Sequence, residues 1–495
     1  MSDSHGTILV TGATGYIGGR LIPNLLEKGW HVRAAGRSMD KLRCRAWAQH
    51  PHVELVEVDV MNQASLSQVT QNCSAAFYLV HSMLPGQKDF EAADRIAAKN
   101  MTIAAEKNGL KKIIYLSGLG DQKTQLSKHL ASRTEVAQIL QSGKTPVTVL
   151  RAAMIIGSGS ASFEILRYLV DRLPIMITPR WLETPNQPIA VRNVIEYLSG
   201  CLQSDQTTGK TFDIGGTDIL TYRQLMEIYA EEAGLRKRLM IPVPVLTPRL
   251  SSYWIHLVTP VSASLARPLA EGLRHPVICL ENNIRDILPQ KILSCREAFR
   301  LALQIQRNDQ IPSHWTDAGN IPPIESAQKG DAAWAGGTLL NDIRSAETSA
   351  PIDAVWMAIV SIGGETGWYH ANWLWSLRGF IDRIFGGVGL RRGRSHKHEL
   401  RIGDALDFWR VADLIDKKRL LLAAEMKLPG KASLEFLIEP IDSKQIRIKQ
   451  TAQFRPKGLW GILYWYLVAP SHQFIFPGML KKLIQRAEQI SSSGS

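Results

Sequence analysis

The sequence predicts two folded units of different class, an α/β unit with a doubly wound parallel sheet and an α+β unit with an antiparallel sheet. Three observations predict this arrangement. From Thr7 onward, apolar strand-like runs alternate with helical runs. A polar stretch with Pro312, Pro322 and Pro323 then interrupts the pattern without any helical or strand period. Beyond this stretch, four short strand-like runs follow one another directly.

Length and composition agree with this division. At 495 residues the chain is about three times the common domain length of ~150 residues, so more than one hydrophobic core is expected. The hydrophobic fraction of 45% and the charged fraction of 21% exclude a disordered or collagen-like chain. We place the first unit at 5–305, a linker at 306–333 and the second unit at 334–490.

Charge and cysteine usage limit the partners and the compartment. Lys and Arg (58) exceed Asp and Glu (45), and the net charge of +13 permits nucleotide phosphates, nucleic acid or an anionic bilayer as partners without selecting one. The five cysteines are scattered and never spaced C-x-x-C, which argues against disulfide bonds and zinc sites. No basic or apolar leader precedes the first strand, so we expect a cytoplasmic protein in a reducing compartment.

The first unit begins with the strand TILVTG, the helical run IGGRLIPNLLEKG and the strand HVRAAG. The strand-like runs VELVEVDV, AAFYLV and KKIIYLSG continue the pattern, with the helical run DRIAAKNMTIAAEKNG before the last of them. IIYL and FYLV are almost continuously apolar, as expected for strands that helices cover on both faces. This alternation therefore predicts a parallel sheet between two layers of helices.

The glycine-rich segment TGATGYIGG lies directly between the first strand and the first helix. Gly12, Gly15 and Gly18 have the spacing G-x-x-G-x-x-G. Such glycines let the turn tighten and the backbone approach a pyrophosphate, whose charge then lies at the positive end of the helix. The position of the motif predicts dinucleotide binding, and a turn that has lost its ligand is the alternative. The predicted contact residues are Gly12, Thr14, Gly15, Tyr16, Ile17 and Gly18.

The end of the second strand indicates which dinucleotide binds. An Asp or Glu about 20 residues after the glycines would hold a ribose 2′-hydroxyl, but HVRAAGRSM has no acidic residue before Asp40. Arg33 and Arg37 are present instead, and a guanidinium group suits a 2′-phosphate. We therefore favour NADP(H) over NAD(H) as the cofactor. Arg37 follows the strand and is the expected contact, whereas Arg33 lies inside the strand and better fits a role without a ligand.

Residues 5–305 resemble the short-chain dehydrogenase/reductase superfamily, in its atypical or extended, NmrA-like branch. The resemblance rests on TGATGYIGG, on Asp59 in VEVDV, on Asn100, on Ser117 in IIYLSG and on the stretch LRAAMIIG. It implies a Rossmann fold with a small substrate lobe, and an adenine contact at Asp59. By the same resemblance, the path of the adenosine and nicotinamide is lined by Val60, Leu79, Val80 and His81, and the nicotinamide end by Met154, Ser160, Ser162 and Phe163.

The chain departs from this superfamily at the catalytic motif. No Y-x-x-x-K occurs, although in the superfamily this Lys lowers the pKa of the Tyr that exchanges a proton with the substrate carbonyl. After Ser117 comes His129-x-x-x-Arg133, a pair that shares one helical face. We predict Ser117 as a hydrogen-bond donor to a carbonyl, His129 as the acid and Arg133 as its electrostatic partner. The alternative is that His129 is a surface residue beside a pocket that only binds NADPH.

The second unit is predicted from the runs GDALDFWRVAD, KRLLLAAEMKL, KASLEFLIEP and QIRIKQTAQF, which short turns join. Leu434, Phe436 and Ile438 fall on one face of a strand, so an antiparallel meander is expected. The whole chain resembles bacterial proteins that join such a reductase domain to a C-terminal domain of unknown function, and this part is similar to START-like helix-grip folds. A helix across a curved sheet commonly encloses an apolar cavity, and a filled core is the alternative.

Aromatic residues are concentrated at one place in the second unit. The segment GGETGWYHANWLW either lines a pocket for a flat apolar ligand or packs in a core. Trp409 and Glu425, on neighbouring predicted strands, are secondary candidates. The candidates within the segment are Glu365, Tyr369, His370, Trp373 and Trp375.

A basic stretch and an apolar stretch bear on further partners. The stretch 389–401 has five Lys or Arg against one Glu, and it fits a solvated loop, a phosphate or headgroup contact or, least well, a nucleic-acid contact. His396 and His398 have no further ligands nearby in the sequence, so no metal site is expected there.

The apolar stretch is 458–480, which contains no Asp, Glu, Lys or Arg. Its uninterrupted part, 459–469, would be only ~16 Å long as a helix against a bilayer core of ~30 Å. Pro470 and Pro477 then break the pattern. We expect a buried helix of the second unit, and an interfacial anchor in weak contact with a membrane surface is the alternative.

Together these features predict an NADP(H)-dependent oxidoreductase of atypical short-chain-reductase type. Its substrate is expected to be a small apolar or aromatic compound with a carbonyl, enone or quinone group. The alternative function is an NADPH-binding sensor, regulator or assembly factor without turnover, which the missing Y-x-x-x-K favours. The sequence disfavours a nucleic-acid partner.

Overall fold

The computed structural model describes residues 6–80, 90–120, 128–243, 255, 259, 267, 271–272, 275–307, 312–313, 317, 339–394, 399–442 and 445–493. The chain forms two compact units, Met1–Ala318 and Gly319–Ser495. Within the described residues, no helix has both the length and the hydropathy needed to cross a membrane.

A seven-stranded parallel sheet organises the first unit, as the sequence predicts. Its strands are β1 (Thr7–Thr11), β2 (His31–Gly36), β3 (Val53–Glu57), β4 (Cys73–Tyr78), β5 (Lys112–Gly118), β6 (Val147–Ala152) and β11 (Thr211–Ile214). They lie in the order β11-β6-β5-β4-β1-β2-β3. The strand order reverses between β1 and β4, and open α/β sheets bind their ligands at the carboxyl ends of the strands at such a reversal.

Helices cover both faces of this sheet. Ile8 and Val10 pack with Leu25 of the first helix in one core, and Leu9 packs with Met101 and Leu140 in the other. Successive residues of β1 therefore point to opposite cores, which explains why its three central residues, Ile8, Leu9 and Val10, are all apolar. The helices of the unit are α1 (Gly18–Glu27), α2 (Met39–Arg43), α3 (Gln63–Val69), α4 (Phe90–Lys107), α5 (Lys128–Gln141), α6 (Ala161–Arg172), α7 (Val191–Gln203), α8 (Tyr222–Glu232), α9 (Ile284–Ile287) and α10 (Cys295–Arg307), with short 3-10 helices at Arg180–Glu183 and Asp205–Thr207.

A smaller lobe lies beyond the sheet and has its own core. Phe163, Tyr229 and Phe299 form its centre, with ring centroids 5.8–6.1 Å apart. The strands of the lobe form three two-stranded pairs, β7 (Ile155–Ile156) with β10 (Ile189–Ala190), β8 (Ile175–Pro179) with β13 (Leu239–Val243), and β9 (Pro185–Asn186) with β12 (Leu220–Thr221).

The second unit is a six-stranded antiparallel sheet with helices, which confirms the predicted fold class. The strands are β14 (Leu340–Thr348), β15 (Ala405–Leu406), β16 (Trp409–Ile415), β17 (Arg419–Ala424), β18 (Gly430–Pro440) and β19 (Ile446–Pro456), in the order β14-β19-β18-β17-β16-β15. The helices are α11 (Ile352–Val360), α12 (Asn372–Ile384) and α13 (Gly458–Ser493), with a 3-10 helix at Gly389–Arg392. The run of four strands is as predicted, whereas β14, which pairs with β19, was not predicted.

The last helix differs from its prediction. Instead of breaking at Pro470 and Pro477, α13 continues through both prolines to Ser493. Met479 and Leu483 are fully buried, so packing of the second half holds the helix where propensity alone would end it. The first half of α13 was expected to be buried, but Leu467 in this half is 80% exposed.

Candidate functional site

The glycine-rich turn has a geometry that requires glycine at two positions and leaves little room for a side chain at a third. Gly12 has a φ of +69°, and a Cβ there would lie 2.8 Å from the carbonyl oxygen of Leu79. A Cβ on Gly15 would lie 3.1 Å from the Gly12 carbonyl oxygen, and one on Gly18 would lie 2.3 Å from the same oxygen. No side chain caps the first turn of α1. The turn is therefore a cradle of bare backbone at a helix N-terminus, which fits a pyrophosphate group.

Residues from the end of the first unit hold this turn in place. Arg45 donates to the carbonyl oxygen of Thr14 at 3.1 Å and forms a buried ion pair with Asp317 at 3.0 Å. The Ser313 hydroxyl donates to the carbonyl oxygen of Tyr16 at 2.8 Å. Ser313 and Asp317 fall within the stretch 306–333 that the sequence assigns to a linker, yet both are buried against the first unit.

The other predicted turn residues have different surroundings. The Tyr16 hydroxyl is buried, and a Cβ on Gly157 would lie 2.5 Å from it. Burial raises the pKa of Tyr16 to about 12, although the Arg20 guanidinium, 4.7 Å from the ring centre, opposes this shift. Tyr16 therefore packs into the protein and does not offer its hydroxyl to a ligand. Ile17 precedes α1 and lines the cavity described below.

The two arginines of the second strand have separate roles. Arg33 is engaged by the protein, because its guanidinium donates to Glu54 at 2.6 Å and to the carbonyl oxygens of Val69 and Gln71. Arg37 follows the end of β2 and is exposed, within electrostatic reach of the Asp59 carboxylate. Of the two guanidinium groups, only that of Arg37 lies at the carboxyl edge of the sheet.

The loops after β3 and β4 complete this edge. Asn100 donates from its side-chain nitrogen to the carbonyl oxygens of Val60 and Met61, each at 3.0 Å, and so fixes the loop that carries Asp59. The backbone N–H of Leu79 donates to the Thr11 hydroxyl at 3.2 Å, which ties the end of β4 to the end of β1. Val80 follows and is partly buried, whereas His81 lies outside the described residues.

A cavity of about 330 Å³ opens between the carboxyl edge of the parallel sheet and the small lobe. It runs from Ile17 beside the glycine-rich turn to Tyr222 and Met226 of α8. Its walls are mostly aliphatic, with Leu116, Leu119, Met154, Ile165, Leu166 and Leu182 among them. This volume and lining suit a small apolar compound.

Ser117 and Arg133 meet at this cavity, as the sequence hypothesis requires. The Ser117 hydroxyl donates to the backbone carbonyl oxygen of Arg133 at 3.5 Å, and both residues line the cavity. The Arg133 guanidinium donates to the Tyr115 hydroxyl at 3.1 Å. Burial lowers the pKa of Arg133, but Tyr115 and Asp94 outweigh this effect and raise it above its ordinary value, so the group stays charged. His129 lies in the first turn of α5, and its side chain is outside the described part of the chain.

The cavity also contains polar groups that the sequence did not indicate. The side-chain nitrogen of Asn186 is buried and has no hydrogen-bond partner in the part of the chain that the structure describes. Burial alone raises the pKa of Tyr222. Its hydroxyl therefore stays protonated and can donate a hydrogen bond. Tyr115 does not line the cavity but binds Arg133 behind its wall; it precedes Ser117 by two residues and therefore shares its strand face, which is the signal that could have identified it.

The residues expected near the nicotinamide end divide into two groups. Met154 and Ser162 line the cavity. Ser160 instead caps α6, because its hydroxyl accepts from the backbone N–H of Phe163 at 3.2 Å. Phe163 is fully buried in the core of the lobe.

The aromatic segment of the second unit packs mainly in its core. Trp375 and Trp409 lie against Trp368, with ring centroids 5.0 and 6.1 Å away. The Tyr369 hydroxyl donates to the carbonyl oxygen of Ala358 at 2.8 Å. Trp373, in contrast, is 65% exposed.

Three other predicted residues of the second unit lie apart from that core. Glu365 is exposed, and Glu425 accepts from Arg410 at 2.9 Å. His370 contacts Phe474, with ring centroids 4.8 Å apart. His396 and His398 lie outside the described residues, and no metal-binding group of three or more His, Cys, Asp or Glu is found among those described.

The core of the second unit also contains a buried acid, beside Trp368, that the sequence did not indicate. Asp407 accepts from the indole N–H of Trp368 at 2.9 Å and from the backbone N–H of Gly364 at 3.2 Å. Burial raises the pKa of Asp407 to about 6, although both hydrogen bonds and the charge of Arg394 oppose the shift.

Comparison with known families agrees with this division of the chain. Residues 12–166 match a family described as NAD(P)H-binding. Residues 334–479 match a domain family of unknown function, DUF2867. The first match contains the glycine-rich turn, Arg37, Ser117 and Arg133.

Individual proteins resemble the chain more distantly. NADH dehydrogenase [ubiquinone] 1 alpha subcomplex subunit 9 of Arabidopsis thaliana is 25% identical over 44% of this chain and 56% of its own length. Divinyl chlorophyllide a 8-vinyl-reductase of the same plant is 23% identical over 48% of this chain and 60% of its own length. The chain thus spans little more than half of these curated relatives. A nucleoside-diphosphate-sugar epimerase from Staphylococcus aureus has a similar structure over 59% of this chain and 99% of its own, with 16% identity and a TM-score of 0.47.

Proposed function

We propose that this chain, whose first unit is an NAD(P)-binding Rossmann domain of the short-chain dehydrogenase/reductase, NmrA-like type, is an NADP(H)-dependent oxidoreductase for an apolar carbonyl, enone or quinone compound. The observation that carries the proposal is the aliphatic cavity beside the glycine-rich turn, with Ser117 and Arg133 in its wall. The reductase names among the relatives support oxidoreductase chemistry in general.

Preference for NADP(H) is supported by the end of β2. Arg37 is exposed there and suits a 2′-phosphate, while no acidic side chain follows the strand before Asp40 to hold a 2′-hydroxyl. Arg33 is excluded from this role by its contacts with Glu54 and two backbone carbonyls.

The side chains in the cavity wall suit stabilisation of a substrate oxygen. When bound, a nicotinamide cofactor supplies or accepts a hydride. The Ser117 hydroxyl lies at the end of β5 and is free to donate to a carbonyl oxygen in place of its long 3.5 Å bond to Arg133. Arg133 stays charged in an apolar wall, where a positive charge strongly stabilises the negative charge that develops on that oxygen. His129, one turn before Arg133, is proposed as the proton donor.

A second function, binding of NADPH without turnover, is favoured by one specific observation. The chain has no Y-x-x-x-K, and no described tyrosine in the cavity has a lysine partner that would lower its pKa. A sensor, regulator or assembly factor would need the cofactor cradle but not an acid in the cavity. For the second unit we propose a helix-grip-like arrangement, supported by the packing of α13 against β14 and β19.

The test is NADPH oxidation by the whole protein with a panel of apolar carbonyl, enone and quinone compounds. We expect turnover with at least one class, and a loss of kcat/KM of ~10²–10³-fold in Arg133→Gln with little change in NADPH affinity. Arg133→Lys keeps the charge and should retain more activity. Arg95→Gln is the matched control, because Arg95 lies on the neighbouring helix in an exposed ion pair with Glu135.

The outcomes separate the two functions. NADPH binding without turnover of any compound would favour the sensor. Turnover that His129→Ala leaves unchanged would remove His129 from the mechanism and retain the oxidoreductase.

A further inference from the structure

The second unit carries an aromatic surface that its own fold does not cover. Trp373, Phe380 and Phe385, on α12 or directly after it, are 65%, 50% and 73% exposed. On α13, Trp460 and Phe474 are 79% and 55% exposed. With Tyr466, these are all of the aromatic Phe, Trp and Tyr side chains that are more than a third exposed among the described residues.

Each helix presents these side chains on one face. On α12, Trp373, Leu377, Phe380 and Ile384 recur at intervals of four, three and four residues. On α13, Trp460, Leu463 and Leu467 follow at intervals of three and four. Such spacing places side chains along one stripe of a helix. We call these two stripes, together with the exposed aromatic side chains of Phe385, Tyr466 and Phe474, the aromatic face; its members are Trp373, Leu377, Phe380, Ile384, Phe385, Trp460, Leu463, Tyr466, Leu467 and Phe474.

The two stripes lie at the same end of the second unit. The turn between β17 and β18 contacts α12, because Arg378 donates to the carbonyl oxygen of Lys427 at 3.3 Å. The same turn contacts the start of α13, where the backbone N–H of Lys457 donates to the carbonyl oxygen of Pro429 at 2.8 Å. His370, just before α12, also packs on Phe474. Both stripes therefore lie on helices that contact this turn.

Within α12 and at both ends of the segment 458–480, the charged side chains that are not buried are basic. The only carboxylate of α12 is Asp382, which is buried and accepts from the backbone N–H groups of Gly389 and Lys427. The segment 458–480 has no charged residue at all. Lys457 precedes this segment, and the exposed Lys481 and Lys482 follow it. A surface that is aromatic in the centre and basic at its edges is complementary to an anionic lipid surface.

We propose that the aromatic face docks the second unit onto an anionic membrane surface without crossing it. Neither helix is long and apolar enough to span a bilayer, whereas Trp and Tyr side chains prefer the boundary between headgroups and acyl chains. An amphipathic helix lies in the plane of that boundary with its apolar face inserted. This proposal is independent of the oxidoreductase function, since it uses no residue of the nucleotide or substrate site.

The test is co-sedimentation of the whole protein with phosphatidylcholine vesicles with and without phosphatidylglycerol, at low and at high salt. We expect binding to the anionic vesicles at low salt and weaker binding at high salt. The triple variant Trp373→Gln, Phe385→Gln, Trp460→Gln should lower vesicle affinity at least tenfold. These side chains are exposed, so the fold should tolerate the changes. The matched control is Ile343→Gln, at a 54% exposed position on β14. This variant should bind vesicles as the unmodified protein does.

A second variant separates charge from apolar contact. The triple variant Lys457→Gln, Lys481→Gln, Lys482→Gln should weaken binding to anionic vesicles about a hundredfold, since each of the three basic residues near the surface contributes ~1 kcal/mol. Absence of binding to anionic vesicles at low salt would overturn the proposal. So would a dimer, seen by light scattering without lipid, that the aromatic triple variant dissociates, because a second copy would then cover the face.

Discussion

At the scale of single residues, cofactor preference depends on Arg37. The Arg37→Ala variant should lose ~1–3 kcal/mol of NADPH binding, the contribution of a charge-assisted contact, and should bind NADH almost unchanged. Titration followed by tryptophan fluorescence measures both affinities. Lys99→Ala provides a control for the loss of one positive charge, since Lys99 is an exposed residue of α4. Equal losses for both nucleotides would exclude a 2′-phosphate contact.

Residues differ in how far their roles could be predicted. The positions of Gly12, Gly15 and Gly18 follow from sequence because the steric demand of the turn is local. The contact between Arg133 and Tyr115 was not predicted, because it joins a helix to a strand through tertiary packing. The pairing of Ser117 with Arg133 at one cavity was predicted only through a family resemblance.

At the scale of elements, the segment after α10 fixes the glycine-rich turn. The Asp317→Asn variant should remove the buried ion pair with Arg45 and leave that guanidinium uncompensated, at a cost of ~3–5 kcal/mol of stability. Because Arg45 also holds the Thr14 carbonyl, NADPH affinity should fall about tenfold or more.

Urea unfolding and NADPH titration measure these two effects separately. Asp205→Asn is the control, because the Asp205 carboxylate is fully exposed in its pair with Lys112 and should contribute little. If Asp317→Asn lowered stability and left NADPH affinity intact, the segment would support the fold without shaping the nucleotide site.

Elements with strong local periodicity were predictable and those that depend on distant partners were not. The strands β16 to β19 follow one another and alternate clearly, so their antiparallel order followed from the sequence. The strand β14 is far from β19 along the sequence, and the residues of β14 form a strand because they pair with β19. The helix α13 passes Pro470 and Pro477 for a similar reason, since packing of its second half outweighs the local preference.

At the scale of the whole molecule, the two units contain separate hydrophobic cores, and the candidate nucleotide site belongs to the first alone. We therefore expect two thermal transitions, of which only that of the first unit moves when NADPH is added. At a concentration of about 100 times Kd, the ligand should stabilise this unit by ~2.7 kcal/mol, which corresponds to roughly 4 °C for a unit of this size.

Circular dichroism follows both transitions, and tryptophan fluorescence gives more weight to the second unit, which contains eight of the thirteen tryptophans. The larger part of the fluorescence change should therefore stay in place when NADPH is added. The Gly18→Val variant, in which a Cβ would meet the Gly12 carbonyl, should abolish the shift and serves as the control for site-specific binding. A single transition that shifts as a whole when NADPH is added would contradict independent unfolding of the two units. It would show that nucleotide binding in the first unit also stabilises the second.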